Sequence, residues 1–186
     1  MLRKYFDDQH FDQQTELAPG EYDNCTFSHC TLAGTDLSGH TFLDCTFTDC
    51  DLSTVKMNGT GLKTVHFIRC KLLAIHFEDA ADFLFRVEFT NCNLELSTFR
   101  DWSLKKTIFT DCCLPETDFT GADLTEAVFE RCDLDRTIFQ RTDLRGADFR
   151  TARNYRFSPE DNYLRGALFS FTGLPGLLTE HGIIVE

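Results

Sequence analysis

The chain has 186 residues, 42% of them hydrophobic, and 30 acids against 18 bases leave a net charge of -12. That length holds one domain of ordinary size, and the acid excess disfavours nucleic acid and anionic membranes as direct partners while favouring a basic protein surface. No run of about eighteen apolar residues is present and MLRKYFDDQHF lacks the apolar core of a signal peptide, so a cytoplasmic protein that does not enter a membrane is expected.

Residues 1–20 stand outside the pattern that follows, yet carry Phe6, Phe11 and Leu17, and are expected to cap the first turn of the fold. From Tyr22 every fifth residue is apolar: Tyr22, Phe27, Leu32, Leu37, Phe42, Phe47 and onward to Phe77. After a two-residue slip the pattern resumes at Leu84 and runs through Phe89, Leu94, Phe99, Leu104 and Phe109 to Phe149. A period of five keeps no single face of an α-helix, because about 100° per residue carries each repeat about 140° onward. It also fails for a flat strand, where an odd step changes face. The chain must turn once per repeat and point each central residue into a shared interior, which is a β-solenoid.

Leu and Phe alternate from Leu84 onward, so a coil of twenty residues stacks like on like and a coil of fifteen does not. Four sides are therefore expected. One column holds Phe27, Phe47, Phe67, Phe89, Phe109, Phe129 and Phe149, and the next holds Leu32, Leu52, Leu72, Leu94, Leu114 and Leu134. Opposite them lie Leu37, Met57, Phe77, Phe99, Phe119 and Phe139, and Tyr22, Phe42, Leu62, Leu84, Leu104, Leu124 and Leu144. The slip at 78–83 reads as a corner bulge. About seven coils at the usual strand spacing of about 4.8 Å make a rod roughly 34 Å long.

Eight of the nine cysteines sit two residues before a central Leu or Phe, the small inward slot that Thr and Ala fill elsewhere; Cys113 alone is out of place. Cys30, Cys50, Cys70, Cys92, Cys112 and Cys132 should form one ladder of free thiols acting as small hydrophobes. Neighbours about 4.8 Å apart lie beyond the usual Cβ separation of a disulfide. The Cys25-x4-Cys30 spacing with His29 between touches zinc-type spacing, but the five-residue period already produces it, and no metal site is assigned. Trp102 and His40 are too large for the same inward slot, so either the backbone bulges locally or the ring turns outward.

At 152–162 the repeat breaks, with Asn154 and Pro159 at expected core positions and Tyr155 and Phe157 available to plug the looser coil. Tyr163 to Phe169 restores it, closing a repeat region of 21–172. The remainder, 173–186, reads as a short helix over 175–180 and an apolar strand-like end.

The segments CTFSHC, GTDLSG, CTFTDCDLS, ETDFTGADLTEAVF and RTDLRGADF resemble the A(D/N)LxX repeats of pentapeptide repeat proteins. The resemblance implies an all-β fold, a right-handed quadrilateral β-helix. The ending SFTGLPGLLTEHGIIVE is similar to the carboxyl terminus of Qnr and MfpA-type proteins, in which that segment joins two rods into a dimer. Carried over, this implies an interface of Leu174, Leu177, Leu178, Ile183, Ile184 and Val185, with an intrachain cap as the alternative.

No catalytic constellation and no cofactor-binding loop emerges, because the six histidines fall on different sides or ends and none is matched with a nucleophile. A binding protein is expected instead of an enzyme. Asp118, Asp123, Asp133, Asp143 and Asp148 precede central positions, point outward and are the candidate partner-binding acids, although arginines are interleaved with them. The first sixty residues hold ten acids and three bases, the largest local excess. The Qnr and MfpA resemblance implies a DNA-like rod that occupies the basic saddle of DNA gyrase or topoisomerase IV and modulates it or protects it from quinolones. Many Qnr proteins project sizeable loops, whereas here the only insertion is two residues, as in loop-free MfpA-type rods. The alternative is a scaffold or regulatory module that binds an unrelated protein along a flat β face.

Overall fold

The structure is a computed structural model that describes residues 3–179 and Ile183. Eleven short strands wind around one core: β1 (Lys4–Asp7), β2 (His10–Asp12), β3 (Gly20–Asp23), β4 (Thr26–Ser28), β5 (Thr41–Leu43), β6 (Thr46–Thr48), β7 (Gly61–Lys63), β8 (Val65–Ile68), β9 (Val87–Thr90), β10 (Ile108–Thr110) and β11 (Val128–Glu130). They form two parallel sheets, β1-β3-β5-β7 and β11-β10-β9-β8-β6-β4-β2. Isolated parallel bridges such as Thr31↔Asp51, Asp36↔Lys56 and Asp118↔Ile138 line the other two sides. The result is the all-β quadrilateral β-helix expected from the period of five.

The register follows the side chains. Phe27 pairs with Phe47, Phe47 with Phe67, Phe67 with Phe89 and Phe109 with Phe129. Their rings stack face to face with centroids 4.3 to 5.5 Å apart, and Phe77, Phe99, Phe119 and Phe139 stack the same way opposite. The two columns meet edge to face, as at Phe109 and Phe119. Rings in these geometries add about 0.5–1.5 kcal/mol per pair to their burial.

Many of the corners are closed by a turn in which the central carbonyl accepts the N–H three residues on, as Leu32 does from Thr35 at 3.0 Å. The residue two after the centre takes a left-handed conformation: Gly34 and Gly39, but also Asp44, Thr64 and Lys106. This corner costs non-glycine residues about 1–2 kcal/mol, so the stacked core must hold it.

Three features depart from the sequence reading. Residues 4–13 join the coil: Phe6 lies in register with Tyr22 and Phe11 with Phe27, stacked at 4.6 and 5.0 Å, so the rod is capped by strands of its own first turn. The bulge expected at 78–83 lies instead at Asp82–Arg86, because Ala81 still pairs with Gly61 while Val87 pairs with Val65. Phe77–Asp79 is an in-register 3-10 turn. Leu84, expected in the core, is therefore 65% exposed. The reason is local: Asp82 accepts the N–H of Phe85 at 3.2 Å, so an ordinary corner turn forms two residues early and puts Leu84 at its left-handed position. Phe85 turns inward and meets Trp102 edge to face at 5.3 Å.

His40 does point inward. It is buried and parallel to Tyr22 and Phe42, and its Nδ1 lies 2.9 Å from the Leu37 carbonyl, which also accepts from the Thr60 hydroxyl one coil above. At the far end Tyr155 and Phe157 are buried against Phe149 and Phe169 and plug the broken coil. The terminal helix is a 3-10 segment over Phe171–Leu177, earlier than the expected 175–180, and Ser170 caps it by accepting from the Gly173 N–H at 3.1 Å.

Candidate protein-binding faces

The side chains that face outward carry any function the rod has. Asp118, Asp123, Asp133, Asp143 and Asp148 all stand one residue before a central Leu or Phe, and each accepts the backbone N–H two residues on, as Asp118 does from Thr120 at 2.8 Å and Asp148 from Arg150 at 3.0 Å. This side-chain turn is what the repeat needs an Asp or Asn for. The second oxygen of each meets a base: Arg100 on Asp118 at 2.7 Å, Lys105 on Asp123 at 3.1 Å, Arg153 on Asp133 at 3.2 Å, Arg145 on Asp143 at 2.5 Å and Arg150 on Asp148 at 2.7 Å.

These contacts hold the carboxyls below their ordinary range. For Asp143 and Asp148 the neighbouring arginine is the main cause. For Asp118 burial pushes upward, and the hydrogen bonds from Thr120 and Arg100 outweigh it. Further pairs join one coil to the next, Arg69 to Asp49, Arg131 to Asp111 and Arg136 to Glu116.

The uncompensated acids lie elsewhere. Asp7, Asp8, Asp23 and Asp44 occupy one edge of the first three coils, Asp7 and Asp23 being direct register partners, and none has an ion-pair partner among the described residues. Tyr5 donates its hydroxyl to Asp23 at 3.0 Å and Asn24 its amide to Asp8 at 3.3 Å. Sequence reasoning passed over these four, although their signal was present as the acid excess of the first third.

At the other end Leu174 is exposed, Leu178 half-buried, Leu177 buried within its own chain and Ile183 exposed; Ile184 and Val185 lie outside the described residues. The thiols of Cys30, Cys50, Cys70, Cys92, Cys112 and Cys132 donate to carbonyls of the coil below, and Cys113 alone is exposed. Burial pushes the Cys30 thiol up to about 11 and Cys45 to about 12. No group of His, Cys, Asp and Glu among the described residues has the arrangement of a metal site, and no helix there is long and apolar enough to cross a membrane.

A four-sided solenoid with a closed Leu/Phe interior and chemically varied outer faces defines a β-helical repeat protein. Residues 21–81 and 83–154 match the family described as pentapeptide repeat region, and the chain belongs to that family. The break at Asp82 coincides with the first residue of the displaced corner. Among solved structures, full-length QnrB1, a plasmid-mediated fluoroquinolone resistance protein, superposes with a TM-score of 0.54 and 18% identity over 97% of this chain and 100% of QnrB1. A trypsin-treated variant of QnrB1 gives 0.53 and 16% over 100% of both chains. HetL, a pentapeptide repeat protein involved in heterocyst differentiation regulation in the cyanobacterium Nostoc, gives 0.38 and 19% over 91% of this chain and 85% of its own. At these identities the likeness to QnrB1 shows the fold alone. No curated protein matches the chain.

Proposed function

We propose that the chain is a non-enzymatic binding protein whose acidic rod takes the place of DNA on the basic surface of a type II topoisomerase, DNA gyrase or topoisomerase IV, and modulates it or shields it from quinolones. The observation that carries this is the edge of Asp7, Asp8, Asp23 and Asp44, a cluster of four acids without an ion-pair partner among the described residues. The full-length fold likeness to a fluoroquinolone resistance protein supports the choice of partner. Duplex DNA carries about twenty charges over a rod roughly 34 Å long, so -12 spread over the chain reaches DNA-like density only where it is concentrated. In this reading Leu174, Leu178, Ile183, Ile184 and Val185 join two rods through their ends, Leu177 anchors that segment to its own chain instead of the interface, and the five turn aspartates, Asp118 to Asp148, contribute a weaker secondary field.

A gyrase supercoiling assay, with and without ciprofloxacin at low and moderate salt, tests it. Salt-sensitive inhibition or rescue at micromolar protein is expected, and Asp7→Asn with Asp23→Asn and Asp44→Asn should weaken it by at least about tenfold. Absence of any effect from the unaltered protein sinks the proposal.

A second reading, a scaffold for an unrelated protein, draws on the ion pairing of Asp118, Asp123, Asp133, Asp143 and Asp148: a wall so neutralised suits a partner without a strongly basic face. It is favoured if the supercoiling assay is silent while the rod still captures a protein through that wall.

A further inference from the structure

We propose that the displaced corner at Asp82–Arg86 is a docking site for an acidic, apolar-anchored segment of a protein partner, a contact opposite in sign to the acidic edge and independent of it. Phe83 and Leu84 are 67% and 65% exposed, and among the described residues they are the only adjacent pair of large hydrophobic side chains so placed. On the same edge the corresponding corner residues are Asn24, Asp44, Thr64, Lys106, Glu126, Gly146 and Gly166, so Leu84 is out of character for its position. Leu84 holds a left-handed conformation that disfavours it, and nothing in its own chain covers it. Exposed apolar pairs of this kind mark contact sites.

The charge around the pair selects the occupant. Lys63 sits over the Phe83 ring, its Nζ 5.1 Å from the centroid. Beside the corner opens a groove of about 260 Å³ lined by the apolar Phe85 and Val87, by Ser103 and Thr107, by the bases Arg86, Lys105 and Lys106, and by one acid, Glu88. Lys63 and Arg86 have no ion-pair partner among the described residues, while Lys105 and Lys106 reach up the rod to Asp123 and Glu126 at 3.1 and 3.4 Å. The acids close by are Asp82 on the corner itself and Glu88, which His66 faces at 3.3 Å. Lys63 and Arg86, two cations without an ion-pair partner among the described residues, thus lie at this corner of a chain of net charge -12. A segment alternating carboxylates with an aliphatic or aromatic residue matches both features, whereas nucleic acid would meet the repulsion of the whole rod. Trp102 lies under the corner against Phe85, and its indole N–H is buried without an acceptor.

Trp102 is the single tryptophan of the chain, so its emission reports on this corner alone. The probe is a fluorescein-labelled ten-residue peptide of alternating glutamate and leucine, titrated into the full-length protein while anisotropy and Trp102 emission are followed. Saturable, salt-sensitive binding that shifts Trp102 emission is expected. Phe83→Ser with Leu84→Ser, and separately Lys63→Glu with Arg86→Glu, should each weaken it by about tenfold or more. Phe83, Leu84 and Arg86 are exposed and Lys63 is half-buried, and unchanged circular dichroism checks that both variants fold. No binding by the unaltered protein, equal binding by the Phe83→Ser/Leu84→Ser variant, equal binding of a lysine–leucine peptide, or tighter binding of labelled single-stranded DNA would each overturn the proposal. The corner variants should leave any effect on gyrase supercoiling intact, and the acidic-edge variants should leave peptide binding intact, so the two readings fail separately.

Discussion

The first three coils and the stretch from Asp111 to Arg153 share one interior and differ in their walls. Inside, Phe11 stacks on Phe27 at 5.0 Å much as Phe129 stacks on Phe149 at 4.9 Å. Outside, the later coils answer acid with base, coil to coil through Arg131–Asp111, Arg136–Glu116 and Arg153–Asp133 and within one turn through Arg145–Asp143 and Arg150–Asp148. The early coils leave Asp7, Asp8, Asp23 and Asp44 unanswered. Because every coil is closed by the same core and corner, the wall positions are free to vary without cost to the fold. Function is therefore to be sought where the wall departs from self-neutralisation, at the acidic edge and at the displaced corner.

The harshest way to break the comparison is to attack what the two regions share. Phe109 is fully buried between Phe89 and Phe129, at 5.1 and 5.0 Å, and Phe109→Asp puts a carboxylate there with no partner. A loss above about 4 kcal/mol, and with it the fold, is expected. Leu104→Arg should act alike. Native circular dichroism and melting in either variant would mean that the columns are wrongly assigned.

Acid should separate the two regions by a smaller amount. Asp111, Asp118, Asp123, Asp133, Asp143 and Asp148 all have carboxyls held below their ordinary range in the folded chain, six groups against three in the early coils, Asp36, Asp49 and Asp51. The folded state then binds fewer protons than the unfolded one as pH falls, so their stabilisation is present above about pH 4 and is lost below it. The thiols act in the opposite direction. Folding raises Cys30 to about 11 and Cys45 to about 12, so stability present below the ordinary thiol range, about 8.5, declines as pH rises toward those values. Urea midpoints measured from pH 3 to 11 should show a plateau with both flanks. Hydrogen exchange at pH 3.5 should find the laddered coils losing protection first, and earlier loss in the acidic coils would contradict this account.

Within the ladder the pairs are unequal. The Asp118 side chain is only 8% exposed and lies on Arg100, whereas that of Asp148 is 21% exposed beside Arg150. Asp118→Asn should cost about 1–3 kcal/mol, since it strips a largely buried acceptor from a cation, and Asp148→Asn should stay within about 0.5 kcal/mol. Equal melting temperatures in the two variants would reduce the ladder to surface decoration.

The four columns were legible because the centre of every repeat must be large and apolar, a requirement that no wall residue shares. Leu84 misled because it satisfies the spacing; only the pairing of Ala81 with Gly61 and of Val87 with Val65 reveals that the turn closes early. The first coil was hidden because Phe6 meets Tyr22 after sixteen residues in place of twenty, a shortfall that breaks the period but not the stacking. The five aspartates of the later coils were recognisable as outward-facing, but their use within their own turns depends on an N–H direction that residue type does not encode. The orientation of His40 turned on a backbone carbonyl, that of Leu37, within reach of its ring.

The smallest expected effects lie at the left-handed corners, and they sharpen the contrast between folding and binding. Thr64 sits at φ 56, a region that its branched Cβ disfavours, while Asn24 and Asn91 fill the equivalent place at φ 49 and 53. Thr64→Asn should therefore stabilise the rod by about 0.5–1 kcal/mol, raising the melting temperature by about 2–4 °C. Leu84 holds the same conformation at φ 60, and exposed as it is, Leu84→Asn should stabilise for the same reason. If Leu84 is retained for docking, that substitution raises the melting temperature and weakens the glutamate–leucine peptide together. A corner that serves only as a chain reversal would show the first change without the second.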